Sequence, residues 1–233
     1  MRVHRFIINK DLKKEQLVLD DKELFNQVRN VLRLDIGSKV AVADGRGGEG
    51  LAQITSLRKG SVELQIQEVF KNDKEQARHI ILYCSVLKKE NFELVVQKAT
   101  EVGVKEIFPI ITERTIKFNI KMDRLQKIVK EAAEQSGRAI VPKLYEPIRF
   151  ADAVSHAKQN ETNWFFDSSG LPVKKETASP KNRLGIFIGP EGGWTEEELK
   201  SAKDSKFKTV SLGKLTLRAE TAAIVASYIA ANL

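Results

Sequence analysis

Hydrophobic positions recur with one period up to about residue 72 and with another beyond it. Arg5-Phe6-Ile7-Ile8 reads as a strand. Leu24, Val28, Val31 and Leu32 fall at helical spacing and predict a short helix over 21–32. Residues 39–43 and 51–54 flank a glycine-rich turn at 44–50, a strand–turn–strand pattern with glycines where positive φ is needed. Val62, Leu64 and Ile66 alternate through 61–69 and predict another strand. Together these elements predict a small β-barrel. The run Lys71-Asn72-Asp73-Lys74-Glu75-Gln76 is polar and aperiodic and reads as a linker. The chain is therefore expected to divide into 1–72 and 73–233.

Beyond the linker, strands predicted at 79–86, 106–111, 163–166 and 184–188 alternate with helices predicted at 91–102, 123–136, 195–203 and 219–231. Gly103 and Gly137 stand just past the ends of two of these helices, where a helix commonly stops. Such alternation predicts an α/β domain built on a parallel sheet. The polar stretch 174–182 reads as a surface loop. The last helix is apolar nearly all round: Ala222, Ala223, Ile224, Val225, Ala226, Ile229 and Ala230 leave almost no polar face. It must be buried on most sides, inside the sheet layers or in a subunit interface.

Composition narrows the classes. Hydrophobic residues at 42% and charged residues at 30% are an ordinary globular balance. Charges precede any apolar run long enough for a signal peptide, and no stretch approaches the ~20 apolar residues that span a bilayer. Cys84 is the only cysteine and reads as a buried thiol, so no intrachain disulfide forms and a cytoplasmic location without a membrane partner is expected. The net charge of +8 favours polyanions. Residues 1–72 hold 13 basic and 10 acidic side chains and the remainder 26 and 21, so the excess is spread over both parts. His4, His79 and His156 are scattered without ligand spacing, and no metal is expected.

Two glycine corners carry the candidate chemistry. Residues 186–199 read IFIGPEGGWTEEEL, a buried strand, a glycine-rich turn and a helix opened by a Thr195–Glu198 capping box. Glycines at a strand's carboxyl end let backbone approach a ligand. The turn is neither a dinucleotide fingerprint nor a P-loop, and Glu196, Glu197 and Glu198 would repel a pyrophosphate. A phosphate-free adenosine bearing a sulfonium suits it better; an ordinary strand–helix turn has the same pattern. Residues 210–223, VSLGKLTLRAETAA, repeat the strand–glycine–helix order, so the two corners are expected to wall one pocket. Arg218 and Glu220 open the last helix and either pair with a neighbour or face that pocket. Lys121, Arg124, Lys127 and Lys130 drift round one helix side, more commonly a solvated face than a phosphate stripe. Arg2, Arg5 and Phe6, with Arg29 and Arg33, suit RNA.

In this order the motifs V-L-R-L at 31–34, D-G-R-G-G-E at 44–49, V-V-Q-K-A-T-E-V-G-V at 95–104, T-E-R at 112–114, E-A-A-E-Q-S-G-R at 131–138, G-P-E-G-G-W at 189–194 and L-R-A-E-T-A at 217–222 resemble the RsmE-type 16S ribosomal RNA uridine N3-methyltransferases of the SPOUT superfamily. The resemblance covers almost the whole chain. It implies a PUA-like N-terminal β-barrel, a SPOUT-type α/β domain with a trefoil knot, a homodimer, and 16S rRNA in the small subunit as partner. It implies S-adenosylmethionine held by Phe166 and Asp167, by Gly189, Pro190, Glu191, Gly192 and Gly193, and by Leu212, Gly213 and Leu217. Arg218 and Glu220 are then the expected catalytic pair, and Arg2, Arg5, Arg33, Arg114 and Arg138 the expected RNA contacts. Gln27 and Leu215 depart from the family, which often has histidine and arginine there; the second removes a positive charge near the pocket. A SPOUT ribose 2′-O-methyltransferase and a non-catalytic rRNA-binding assembly factor are the rival readings.

Overall fold

The computed structural model describes residues 3–116, 120–173 and 183–232. The chain divides into two compact units, Met1–Glu75 with Ala133–Val141, and Gln76–Ala132 with Pro142–Leu233.

The first unit holds β1 (His4–Ile7), β2 (Gln16–Leu19), β3 (Lys39–Ala43), β4 (Gly48–Arg58) and β5 (Ser61–Lys71) in one sheet of order β1-β3-β4-β5-β2. Only β1 and β3 run parallel. The helix read at 21–32 forms in two parts. Asp21 caps α1 (Lys22–Asn26) by accepting from the Glu23 and Leu24 N–H groups, and Gln27–Val31 continues as a π turn. Leu24 and Val28 bury against Phe6, Val42, Ile54 and Leu64 of the strands. The polar run at 71–76 is not a free linker. Lys71 still belongs to β5, and the buried amide of Asn72 donates to the Gly137 carbonyl at 3.1 Å. Residues 133–141 belong to this unit because Ala133 and Ala139 pack on Ile7 and Ala43, and the Ile7 N–H donates to Glu134 at 2.7 Å.

The second unit is a parallel α/β sheet. Its elements are β6 (His79–Ser85), α2 (Lys89–Glu101), β7 (Glu106–Ile111), α3 (Met122–Ser136, which ends in the first unit), β8 (Lys143–Leu144), β9 (Ile148–Arg149), α4 (Phe150–Ala157), β10 (Thr162–Pro172), β11 (Arg183–Ile188), α5 (Glu196–Asp204), β12 (Lys208–Ser211) and α6 (Ala219–Asn232). The strand order is β12-β10-β11-β6-β7-β8, with β9 also on β7. The centre is continuous hydrophobic strand: residues 80–84 of β6 and 186–188 of β11 are buried, as expected of strands covered on both faces. Aromatic rings fill one side, with Tyr83 stacked on Phe187 at 4.4 Å and on Phe108 at 5.1 Å. Cys84, next in the same strand and so on the opposite face, is also buried, and burial pushes its thiol well above its usual range. Residues 174–182, read as a loop, lie outside the described residues.

The amino ends of these strands carry a closed polar network. Glu106 accepts from Tyr145 at 2.8 Å and pairs with Arg183 at 2.9 Å and His79 at 2.6 Å. Burial works against its charge, but the hydrogen bonds from His79 and Tyr145 and the Arg183 charge hold its carboxyl below the usual range. Asn160 and Asn163 extend the network, and a Cβ at Gly185 would meet Asn163 Oδ1 at 2.1 Å. At the far end of α6, buried Arg78 donates to the Ala230 carbonyl at 3.0 Å. Arg78→Ala is therefore expected to cost about 1.5–3 kcal/mol, read as a lower urea midpoint at unchanged m-value. An unchanged midpoint rules out this anchor.

Candidate active site

Three loops leave the carboxyl ends of adjacent strands on one side of the sheet. The first grows from β10. Phe166 and Leu171 both pair with Val210 of β12, so the four residues between them bulge out of the ladder. Asp167 Oδ1 ties the bulge by accepting from Ser169 N at 2.9 Å and Ser169 Oγ at 2.6 Å. Gly170 closes it against the backbone of Val210, where a Cβ would sit 2.5 Å from the carbonyl carbon. Bulges of this kind re-aim side chains beside functional sites, and this one brings Asp167 and Ser168 to a cavity wall.

The second loop follows β11. Gly193 N donates to the Pro190 carbonyl at 2.9 Å, and Gly193 has φ +70°. The capping box read at Thr195 and Glu198 forms: Glu198 N donates to Thr195 Oγ1 at 3.2 Å and Thr195 N to Glu198 Oε2 at 2.9 Å. Trp194 lies beneath the turn. A Cβ at Gly189 would come within 2.9 Å of its indole, and Trp194 Nε1 donates to the Phe166 carbonyl at 2.9 Å. One ring thus touches the first loop and the second. The third loop follows β12, turns at Gly213 with φ +122°, and enters α6.

The three loops enclose a cavity of about 810 Å³. Nine of the ten residues expected to hold a cofactor line it: Phe166, Asp167, Gly189, Pro190, Glu191, Gly193, Leu212, Gly213 and Leu217. Gly192 is the tenth; it stands off the cavity, and its carbonyl accepts from Arg114. Arg218 and Glu220 also line the wall. They form no ion pair with each other, and Arg218 has none among the described residues, so its charge is uncommitted. Glu220 is 8% exposed yet opens on the cavity. Lys88, Asn91 and Ile116 join the lining unannounced. They follow β6 and β7, and the pairing of β6 with β11 and of β7 with β6 brings them there.

The arginines expected to contact RNA separate. Arg33 is exposed, in the left-handed region at φ +54°. Arg5 is ion-paired with Glu49. Arg138 is buried and forked onto Glu75 at 3.0 and 2.9 Å. Both are occupied inside the first unit rather than presented to a ligand. Arg114 turns to the 189–194 loop, and Arg2 lies outside the described residues. The basic side of α3 is a partly ion-paired surface, with Arg124 on Glu93 at 2.6 Å. Among the described residues no cluster of metal-ligating side chains occurs and no helix is long and apolar enough to cross a membrane.

Residues 74–231 match the family model of an RNA methyltransferase domain, and residues 19–67 that of an RNA methyltransferase PUA domain. The chain is 30% identical to the ribosomal RNA small subunit methyltransferase E of Rickettsia conorii, covering 97% of this chain and 94% of that one. It is 34% identical to the enzyme of the same name from Synechocystis over 85% of this chain and 67% of the relative. Among solved structures, the ribosomal RNA small subunit methyltransferase E of Neisseria gonorrhoeae bound to S-adenosylmethionine superposes with a TM-score of 0.89 at 31% identity, covering 98% and 96% of the two chains.

Proposed function

The chain belongs to the RNA methyltransferase family, and from that membership we propose that it transfers the methyl group of S-adenosylmethionine to N3 of a uridine in 16S RNA of the small ribosomal subunit. The observation that carries the reading is the convergence of the 166–168, 189–193 and 212–217 loops, with Arg218 and Glu220, on one cavity. Its residues suit the donor. Asp167, Glu191 and Glu220 supply negative charge for a sulfonium, the glycine turns supply backbone groups for an adenosine, and the glutamates heading α5 disfavour a polyphosphate. Solved relatives carry the same compound by name.

When bound, the cofactor supplies an electrophilic methyl group; the remaining tasks fall to the protein. The cavity walls would hold the uracil ring beside the bound cofactor and keep water from it. Arg218, without an ion pair among the described residues, holds the uracil carbonyls as negative charge builds on them. Glu220 takes the N3 proton. Arg33 and the net charge of +8 favour the RNA backbone. The reading extends to the family's trefoil knot, a cytoplasmic location and a homodimer. Support for the dimer comes from α6, which buries Ala219, Ala223, Ala226 and Ala230 within its own chain and leaves Tyr228 58% exposed.

The test is methyl transfer to unmethylated small subunits and to naked 16S RNA, with mass mapping of the product. One methyl group on a uracil N3, formed on the subunits, is expected. A ribose-methylated product moves the chain to the 2′-O class. Absence of both transfer and cofactor binding leaves an RNA-binding assembly factor.

A further inference from the structure

We infer that Arg114 is a positioning residue that fixes the backbone of the 189–194 turn against the cavity, an inference that rests on the methyl-donor reading of that cavity. Its side chain leaves the loop after β7 and reaches the loop after β11. Nη1 donates to the Gly192 carbonyl at 2.7 Å and to the Trp194 carbonyl at 3.2 Å. A further link runs in parallel: Glu113 N donates to Glu198 Oε1 at 3.1 Å, while Glu198 Oε2 accepts from Thr195 N at 2.9 Å. The foot of this latch is itself fixed. Thr112 N donates to Thr115 Oγ1 at 2.9 Å, and Thr115 Oγ1 lies 2.7 Å from Thr112 Oγ1 and 2.9 Å from Ser85 Oγ at the end of β6. Ser85 and Thr112 are buried.

The turn needs such a hold. Gly189, Gly192 and Gly193 offer no side chain for anchoring, and among the described residues nothing lies within 4 Å of a Cβ built at Gly193. A backbone of that kind reaches many conformations, and ordering it on ligand binding is costly. Gly192 stands off the cavity while Glu191 and Gly193 line it. A cation gripping the carbonyls at 192 and 194 therefore orders the turn from outside and leaves the cavity face to the ligand. Arginine suits the task, because the N–H groups of Nη1 make charge-assisted bonds to both carbonyls.

The experiment uses the full chain carrying Arg114→Ala. It is read by calorimetric titration with S-adenosylmethionine, by filter binding of naked 16S RNA across a salt series, and by thermal melting. The variant is expected to bind cofactor about tenfold more weakly than wild type or worse. KM for the cofactor rises, and RNA affinity keeps its value and salt slope. Arg114→Lys, which keeps a charged donor without the planar fork, is expected to fall between. A phosphate contact gives the reverse pattern: unchanged cofactor affinity, weaker RNA binding and a salt slope shallower by about 0.7–0.9. That result overturns the inference, as does equal weakening of both ligands or no change in either. Failure of wild type to bind S-adenosylmethionine sinks the underlying reading as well; equal binding by wild type and variant sinks only the positioning role. If Arg114→Ala melts below the assay temperature, Arg114→Lys carries the same comparison.

Discussion

Trp194→Ala is expected to destabilise the second unit by about 3–5 kcal/mol and to remove measurable binding of S-adenosylmethionine. The ring is buried and packs on Phe165 at 4.3 Å and Phe150 at 5.5 Å. Its removal opens a cavity directly below Gly189, whose backbone rests on the indole. The Phe166 carbonyl loses its donor at the same time. Two of the three ligand-facing loops thus lose one shared support, so stability and binding fall together. Trp194→Phe separates the contributions. It retains most of the apolar contact but leaves the carbonyl unpaired, at a cost of about 1–3 kcal/mol, and binding weakens without vanishing. Urea midpoints and calorimetric titration read both variants. Wild-type affinity in Trp194→Ala would show that the indole is not what holds the loops.

Arg218→Ala is expected to lower single-turnover methyl transfer by about 10²–10³-fold, the usual range for removing one group that stabilises developing charge. Cofactor affinity stays within a few-fold of wild type. Arg218 lines the cavity, is exposed, and carries no ion pair among the described residues, so its loss leaves no buried partner behind. Its Cα stands just before α6, and the Ala222 N–H bonds its backbone carbonyl, which alanine retains. The helix start is therefore not at stake. Equal losses in turnover and in cofactor affinity would reassign Arg218 to binding.

Much of the fold was legible where short-range physics decides it. The strands at 39–43 and 106–111 form with the ends read from their hydrophobic runs. Gly103 and Gly137, at φ +100° and +83°, end their helices as expected. The Thr195–Glu198 cap is a contact across three residues and formed as read. Short elements escaped: β2 offers only Leu17 and Leu19 as an inward pair, and α4 is too brief to establish a period. At the site, sequence supplied the loops and chain pairing supplied their meeting. The second return of β10 to Val210 depends on residues far apart in the chain, as does the neighbouring of β6 and β11. The same limit explains Arg5 and Arg138. An arginine beside RNA-like motifs reads as a phosphate contact until Glu49 and Glu75 arrive from elsewhere in the chain to claim it.

The passage of residues 133–141 into the first unit bears on the order in which the protein matures during synthesis. Translation delivers the amino-terminal residues first, yet that unit lacks the Ala133 and Ala139 methyls and the Glu134 carboxylate until much later. The Asn72 amide reaches Glu49 within that unit, but its second bond, to the Gly137 carbonyl, waits as well. The nascent amino-terminal unit therefore stays incomplete while the first α/β strands and helices of its neighbour emerge, and a fragment cut at the apparent linker begins life with an open seam.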